Sequence, residues 1–314
     1  MPLLKKASIL FDLSHKEMLN IGEKEYSEFY NLLQRFGVKI RTNESQDLTQ
    51  QLLDNIDILI IGNPIDTFFS SIEIKNIINF VREGGGLLLI SEYGADFLQK
   101  TNLNDIAKIF GILFEKNLLK EDNEINHNCP SILSIQEFND HKITNQIRDL
   151  VIGGCCSLTL HKDAKPILQS NGDAWSEIYN TSTNMWLKNE EGENYIISGC
   201  VEYGRGRVVA ISDVDIFTND PNIGLNQLDN RKLVLNILNW LIEPAKESDV
   251  IFWTLNQVGA IFNEVKQMNL KINNIIETVT LLEKRISKIE DKKGTEYKKN
   301  LAKKKIPEEK PTLI

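Results

Sequence analysis

The sequence has few cysteines, and none of them has the spacing of a metal motif. Its 314 residues include only Cys129, Cys155, Cys156 and Cys200, with no CxxC pair. This density is too low for a disulfide framework and predicts a reducing, cytoplasmic setting. Cys155 and Cys156 with His161 would make a poor zinc site, because adjacent cysteines chelate weakly and a second ligand pair is missing. We predict a buried strand pair there, no metal site and no cofactor.

Long apolar runs and an excess of positive charge are also missing. No stretch approaches the roughly 18 uninterrupted apolar residues of a membrane-spanning helix. The first 17 residues contain neither the apolar region nor the small-residue cleavage site of a signal peptide. The formal net charge of −8 is untypical of nucleic-acid binders, which usually present a basic surface. We therefore expect no nucleic-acid partner and no integral membrane segment.

The first hundred residues alternate between apolar runs and amphipathic segments. Three nearly continuous apolar runs are typical of strands buried on both faces: ASILFDLS (7–14), IDILIIGNP (56–64) and GLLLIS (86–91). Helical spacing separates them, and Ser70 with Glu73 forms the capping box of one predicted helix. This alternation predicts an α/β fold whose mostly parallel sheet has helices on both faces.

The pattern is less regular beyond residue 115. Residues 115–190 are polar and broken by turn residues, which indicates an insertion or an irregular β region. Residues 193–215 then predict a β-hairpin, and residues 228–244 a helix that ends at Pro244. We place the α/β domain at residues 1–245.

The C-terminal segment has a pattern of its own. From residue 258, apolar residues recur at steps of three and four over ten successive positions, which predicts a coiled-coil helix over residues 250–290. The alternative is a long helix folded onto its own domain. The lysine-rich tail, 291–314, cannot bury a core and is expected to be disordered. The predicted seam consists of Val258, Ile261, Val265, Met268, Ile272, Ile275, Val279, Leu282, Ile286 and Ile289.

Three stretches together resemble the GIFT domain, which is shared by an intraflagellar-transport subunit and by accessory proteins of gliding-motility-type ABC transporters. They are LFDLSHKE (10–17), the segment from GNPIDTFF to ISEYGAD (62–96), and YGRGRVVAISDVDIFTNDPN with DNRKLVLNILNWL (203–241). The first stretch, and a C-terminal helix in place of membrane spans, make the chain more similar to the intraflagellar-transport branch. The resemblance covers roughly residues 7–243. It implies a flavodoxin-like sheet of the glutamine-amidotransferase-like superfamily and a non-enzymatic scaffold or sensor module.

The catalytic residues of amidotransferase-like enzymes are missing at the matching positions. Those enzymes place a cysteine on the turn after the strand that follows the glycine-rich loop, and activate it with a late histidine–acid pair. Here the turn reads ISEYG (90–94) and the late strand reads AISDVD (210–215), without cysteine or histidine. Ser91 also lacks the G-x-S-x-G elbow of serine hydrolases. We predict that the protein is not an enzyme.

Polar residues nevertheless follow four of the predicted strands. If those strands are parallel, their carboxyl ends meet at one crevice, the usual ligand position in open α/β sheets. The favoured interpretation is that these residues cap helices and satisfy loop backbone. One alternative is a sugar-like ligand bound by Asp12, His15, Asn63 and Glu92, and a less favoured one is a divergent hydrolase using the same groups. The crevice candidates are Asp12, Ser14, His15, Asn63, Ser91, Glu92, Asp213 and Asp215.

These patterns together predict a cytoplasmic scaffold or adaptor. Its helix would assemble a homo- or hetero-oligomer through the seam, and its α/β domain would recognise a protein partner.

Overall fold

A computed structural model of the chain describes residues 4, 7–122, 129–192, 194–243, 262, 265–288 and 293. The chain divides into two compact units, Met1–Val250 and Ile251–Ile314. The first contains the sheets and six α-helices of the described residues, and the second contains a helix over residues 265–288.

The first unit is built on a seven-stranded sheet. Its strands, in chain order, are β1 Ser8–Asp12, β2 Lys39–Asn43, β3 Ile58–Gly62, β4 Gly86–Ile90, β10 Lys165–Gln169, β13 Ile196–Tyr203 and β14 Gly206–Ile211. They lie in the order β10-β13-β14-β4-β3-β1-β2. The five strands from β14 to β2 are parallel, and β13 and β10 add an antiparallel edge. The predicted mostly parallel sheet is confirmed.

Smaller strands occupy the region between β4 and β13. They are β5 Ile112–Phe114, β6 Asn117–Lys120, β7 Ile132–Ile135, β8 Leu150–Gly153, β9 Leu158–Leu160, β11 Trp175–Asn180 and β12 Met185–Glu191. β6, β11 and β12 form a three-stranded antiparallel sheet, whereas β5 pairs with β9 and β7 with β8. The irregular stretch of sequence therefore folds mainly into short antiparallel strands.

Helices cover both faces of the large sheet. They are α1 Ser27–Arg35, α2 Gln50–Leu53, α3 Ser71–Arg82, α4 Ala95–Gln99, α5 Leu103–Ala107 and α6 Asn230–Ile242. Successive β1 residues alternate between two cores: Ile9 and Phe11 join a cluster that includes α1 and α6, and Leu10 joins a cluster that includes α3 and α5. This alternation is the period of two that a strand imposes, and it explains why the central strands are apolar throughout.

The start of α3 follows the predicted local chemistry. The Ser70 hydroxyl accepts a hydrogen bond from the Glu73 backbone N–H at 3.3 Å, and a Glu73 carboxylate oxygen accepts the Ser70 N–H at 2.9 Å. The second oxygen of Glu73 accepts the Leu48 N–H at 3.2 Å and lies 3.4 Å from Nε2 of His15, which follows β1.

The C-terminal helix, residues 265–288, exposes its side chains along its length. Three predicted seam residues, Val258, Ile261 and Ile289, lie outside the described residues, as does the tail apart from residue 293. The seven described seam residues are 44–62% exposed. Of the helices that the structure describes, none combines the length and apolar character needed to span a bilayer.

Candidate functional site

The eight candidate residues lie at the carboxyl edge of the large sheet, as parallel topology requires. Their hydrogen bonds and ion pairs place six of the eight in two groups. One is an Asp12 cluster after β1, which consists of Asp12, Ser14, His15, Glu17, Asn43 and Glu73, and the other is a Glu92 cluster after β4 and β14, which consists of Glu92, Asp213 and Asp215.

The Asp12 cluster is centred on a short hydrogen bond between two predicted residues. Nδ1 of His15 lies 2.6 Å from Oδ2 of Asp12. The other oxygen, Oδ1 of Asp12, accepts hydrogen bonds from the Ser14 hydroxyl at 2.8 Å and from Nδ2 of Asn43 at 2.9 Å. Asn43 ends β2 and is the register partner of Asp12, so the pairing of two parallel strands fixes this contact.

Two glutamates complete the Asp12 cluster. Oε2 of Glu17 accepts the His15 backbone N–H at 3.1 Å, and Oε1 lies 3.8 Å from Nδ1 of His15. Nε2 of His15 lies 3.4 Å from Oε1 of Glu73, and the imidazole stacks on the Phe69 ring at 3.9 Å. Asp12, His15 and Glu17 each offer a donor atom within 4.8 Å of the other two, a grouping that could hold a metal ion. In the sequence, this group of three residues is indicated only by the spacing Asp-x-x-His-x-Glu.

Burial and neighbouring charge set different protonation states in the Asp12 cluster. Burial alone would raise the pKa of Asp12, but hydrogen bonds from His15, Glu17 and Ser14 hold it below its usual value. Burial and then the charge of Asp12 raise the pKa of Glu17 to about 10, so Glu17 is protonated at neutral pH. Burial also opposes ionisation of Glu73, yet hydrogen bonds from Ser70 and the Leu48 backbone hold its pKa below the usual value.

The Glu92 cluster connects the ends of three strands. Oε1 of Glu92 accepts the Val214 backbone N–H at 2.7 Å. The two oxygens of Asp213 accept the backbone N–H groups of Asp215 at 2.7 Å and of Gly153 at 3.2 Å. Burial and the charge of Asp213 raise the pKa of Glu92 well above its usual value, and burial with Asp215 does the same for Asp213. These carboxyl groups therefore accept hydrogen bonds from backbone N–H groups at the strand ends and in the loops.

Asn63 and Ser91 are also buried. The backbone N–H of Asn63 donates to the carbonyl of Ile90, and that of Ser91 to the carbonyl of Ile211. Asn63 has a φ of +57°, a left-handed conformation that asparagine tolerates better than most residues. These backbone hydrogen bonds join the end of β3 to β4 and the end of β4 to β14.

Polar side chains such as Lys16, Asp66 and Lys100 are exposed at this edge, and so are several large apolar side chains. We name the apolar rim for five of them: Met18 follows β1, Phe68 and Ile72 follow β3, and Tyr93 and Phe97 follow β4. Phe68 and Ile72 are 66% and 70% exposed, whereas Asp12, His15 and Glu92 are all below 7%. The carboxyl groups of Asp12 and Glu92 are therefore buried, whereas the large apolar side chains of the rim are exposed to solvent.

A cysteine–histidine pair lines a cavity at the antiparallel edge of the sheet. The cavity, of about 630 Å³, is bordered by His141, Cys200, Arg207 and Trp240. Nε2 of His141 lies 3.8 Å from Sγ of Cys200, while Nδ1 accepts the Ile143 N–H. Burial, with the charge of Lys165, lowers the pKa of His141. The neutral ring carries its proton on Nε2 and cannot take the thiol proton there, so this pair lacks the tautomer of a catalytic dyad.

Residues 20–238 match the family described as Domain of unknown function (DUF4350). Among solved structures, the chain is similar to the mmIFT52 N-terminal domain, with a TM-score of 0.62, 17% identity, and coverage of 75% of this chain and 97% of that one. It is also similar to the cytoplasmic protein STM3548 from Salmonella typhimurium, with a TM-score of 0.50, 15% identity, and coverage of 76% and 100%. No curated protein matches the sequence. At these identities the likeness shows the fold, in agreement with the resemblance to an intraflagellar-transport subunit.

Proposed function

The chain belongs to the DUF4350 family, and from that premise we propose that it is a non-enzymatic, cytoplasmic scaffold. It assembles through its C-terminal helix and binds a protein partner at the carboxyl edge of its sheet. The family description assigns no activity, so the proposal rests on the residues of this chain.

The fold supports this proposal. The parallel strands lie in the order β2-β1-β3-β4-β14, which is the flavodoxin-like order 2-1-3-4-5. Together with the resemblance to the GIFT domain, this order favours membership of the glutamine-amidotransferase-like superfamily. Within it, the chain would be a scaffold protein that lacks the catalytic cysteine. All four cysteines are free, as suits a reducing compartment.

The contrast between buried polar residues and exposed apolar residues at the sheet edge supports a protein partner over a small polar ligand. A sugar-binding site needs exposed donors and acceptors. Here Asp12, His15 and Glu92 are buried and already bonded to neighbouring groups. The exposed groups include the five side chains of the apolar rim, and exposed apolar surface is typical of protein-binding sites.

The observation that carries the assembly proposal is the exposed stripe of the C-terminal helix. Seam residues recur at steps of three and four from Val265 to Ile286, and about half of each side chain is exposed. An isolated helix gains little from exposed apolar groups, and burying the stripe against a second helix stabilises both. The first position of each heptad is valine or isoleucine, which favours two parallel strands, whereas isoleucine at both positions, as at Ile272 and Ile275, shifts the preference toward trimers. We therefore take the occupant to be a second copy of this helix.

Light scattering on the full-length chain tests the assembly proposal. We expect a discrete dimer or trimer for the wild type and a monomer for Ile275→Asp, because buried aspartates in the seam are strongly unfavourable. Asn274→Asp, which places the same charge one residue away and off the seam, should keep the mass of the wild type. A monomeric wild type, or two variants with the same mass, would exclude self-assembly through this seam.

A further inference from the structure

Three side chains converge at the end of β1. Asp12, His15 and Glu17 are 1%, 6% and 7% exposed. Nδ1 of His15 lies 2.6 Å from Oδ2 of Asp12 and 3.8 Å from Oε1 of Glu17. One donor atom from each of the three lies within 4.8 Å of the other two.

The remaining polar atoms of these side chains are engaged elsewhere. Oδ1 of Asp12 accepts hydrogen bonds from Ser14 and Asn43, and Oε2 of Glu17 accepts one from the His15 backbone. Nε2 of His15 faces a carboxylate oxygen of Glu73 at 3.4 Å. One polar atom of each side chain therefore contacts a neighbouring group, and the other three atoms, Oδ2 of Asp12, Nδ1 of His15 and Oε1 of Glu17, face one another.

One of these three inward atoms has no hydrogen-bond partner. Oε1 of Glu17 is fully buried, and none of the described residues bonds to it. A buried oxygen without a partner is rare in folded proteins and costs about 1–3 kcal/mol. A cation placed among the three donors would displace the proton of Glu17 and satisfy this oxygen.

We propose that Asp12, His15 and Glu17 bind one divalent transition-metal ion, with Zn²⁺ as the preferred ion. An imidazole nitrogen with two carboxylate oxygens suits zinc better than magnesium or calcium, which take oxygen ligands. Three protein ligands leave a fourth tetrahedral position for water. With metal–ligand bonds of about 2.0 Å, Nδ1 and Oδ2 separate from 2.6 Å to about 3.3 Å, a small movement for two side chains on one loop.

Glu73 acts as the positioning residue of this site. A histidine that binds metal through one nitrogen usually donates its other N–H to a carboxylate, which fixes the tautomer and orients the ring. Glu73 is in that position, and the capping box holds it at the start of α3. The ion would join the loop after β1 to α3. This site does not depend on the scaffold proposal.

Titration of the full-length, chelator-stripped chain with Zn²⁺ alone, in competition with a chromophoric chelator, tests the site. We expect one equivalent to bind and to raise the melting temperature. Glu17→Gln and Asp12→Asn should each lower the affinity at least about 100-fold, and Glu73→Gln about 10- to 100-fold. The matched control is Glu92→Gln, a buried carboxyl at the same sheet edge, which should bind Zn²⁺ like the wild type.

Substitution with Co²⁺ gives a second measurement on the wild type alone, in case a variant fails to fold. Bound Co²⁺ should show visible d–d bands without the intense near-ultraviolet band of a thiolate ligand. A thiolate band would place the ion on a cysteine and overturn the proposal. Equal affinity in Glu17→Gln and wild type, or no stabilisation of the wild type by one equivalent of Zn²⁺, would overturn it as well.

Discussion

Glu92 accepts a hydrogen bond of 2.7 Å from the backbone N–H of Val214, a residue 122 positions away in the chain. The contact joins the loops that follow two adjacent parallel strands, β4 and β14. It also explains why a carboxyl group occupies a site from which water is excluded, because the group satisfies a buried backbone donor. Glu92, which the sequence placed among the candidate site residues, therefore connects two loops at the sheet edge.

Replacing Glu92 should alter how stability depends on pH. The pKa of Glu92 is higher in the folded chain than the unfolded value of about 4.3, because of burial and the charge of Asp213. Its contribution is therefore fully present below that unfolded value and is lost as the pH rises toward the folded pKa. Glu92→Gln keeps the acceptor and cannot ionise, so we expect it to be more stable than wild type at pH 8, by about 1 kcal/mol or more.

Glu92→Ala is the companion variant, because it removes the acceptor itself. It should cost about 2–4 kcal/mol at every pH, from the unsatisfied Val214 N–H and the cavity left behind. Urea denaturation of the three proteins at pH 5 and pH 8 measures both effects. A glutamine variant that is less stable than wild type at pH 8, with an unchanged dependence on pH, would contradict the assigned role.

Gly206, at the start of β14, should tolerate no side chain. A Cβ built there would lie 2.1 Å from the carbonyl oxygen of Val81 and 2.3 Å from that of Gly85, both of them backbone atoms. We expect Gly206→Ala to lower the free energy of unfolding by about 2–3 kcal/mol or more. Gly172→Ala is the control, because its Cβ meets only the side chain of Asn194 at 3.2 Å. Equal denaturation midpoints for the two variants would show that β14 can shift.

The central strands and the start of α3 could be predicted because their signals are local. An uninterrupted apolar run and the pair Ser70–Glu73 depend on neighbouring residues alone. The sheet edge could also be predicted, since parallel strands bring their carboxyl ends together. The division of the candidates into two clusters could not, because it depends on strand order: Asn43 reaches Asp12 only because β2 lies beside β1.

Glu17 was missed for a related reason. Its side chain reaches Asp12 and His15 through the backbone of the loop after β1, where Lys16 has a φ of +54°. Nothing in the local sequence requires that conformation. The contact of Asp213 with the Gly153 backbone, 60 residues away, likewise depends on the short strands of the irregular region, which have weak sequence patterns.

The apolar rim should be detectable in the free protein. Phe68 and Ile72 are the most exposed of its members, so the double change Phe68→Ser and Ile72→Ser should reduce the fluorescence of a bound hydrophobic dye, while the unfolding transition stays in place. The control is Met185→Ser on β12, which removes a side chain of 59% exposure elsewhere on the first unit. The same loss of dye fluorescence in both variants would show that the rim binds the dye no more strongly than other exposed apolar residues do.

Small polar ligands should fail to bind at the sheet edge. The buried carboxyl groups are bonded to protein atoms, and reaching them would require displacing those bonds. Calorimetry of the wild type against a panel of sugars and nucleotides should give no saturable heat. Saturable binding of a sugar that Asp12→Asn abolishes, while Met185→Ser keeps it, would favour the ligand-binding alternative.

The reactivity of the cysteines tests the absence of an activated nucleophile. Burial raises the pKa of Cys200 to about 12, and His141 presents an N–H to it rather than a lone pair. Since only the thiolate reacts, iodoacetamide at pH 7.5 should modify the exposed Cys129 first and leave Cys200, Cys155 and Cys156 largely unmodified in the folded chain. Mass spectrometry of peptides over time measures each site, and Cys129→Ser should then show almost no labelling until the chain is unfolded. If Cys200 is instead labelled faster than Cys129, the protein contains an activated thiol in a cavity, and the non-enzymatic proposal fails.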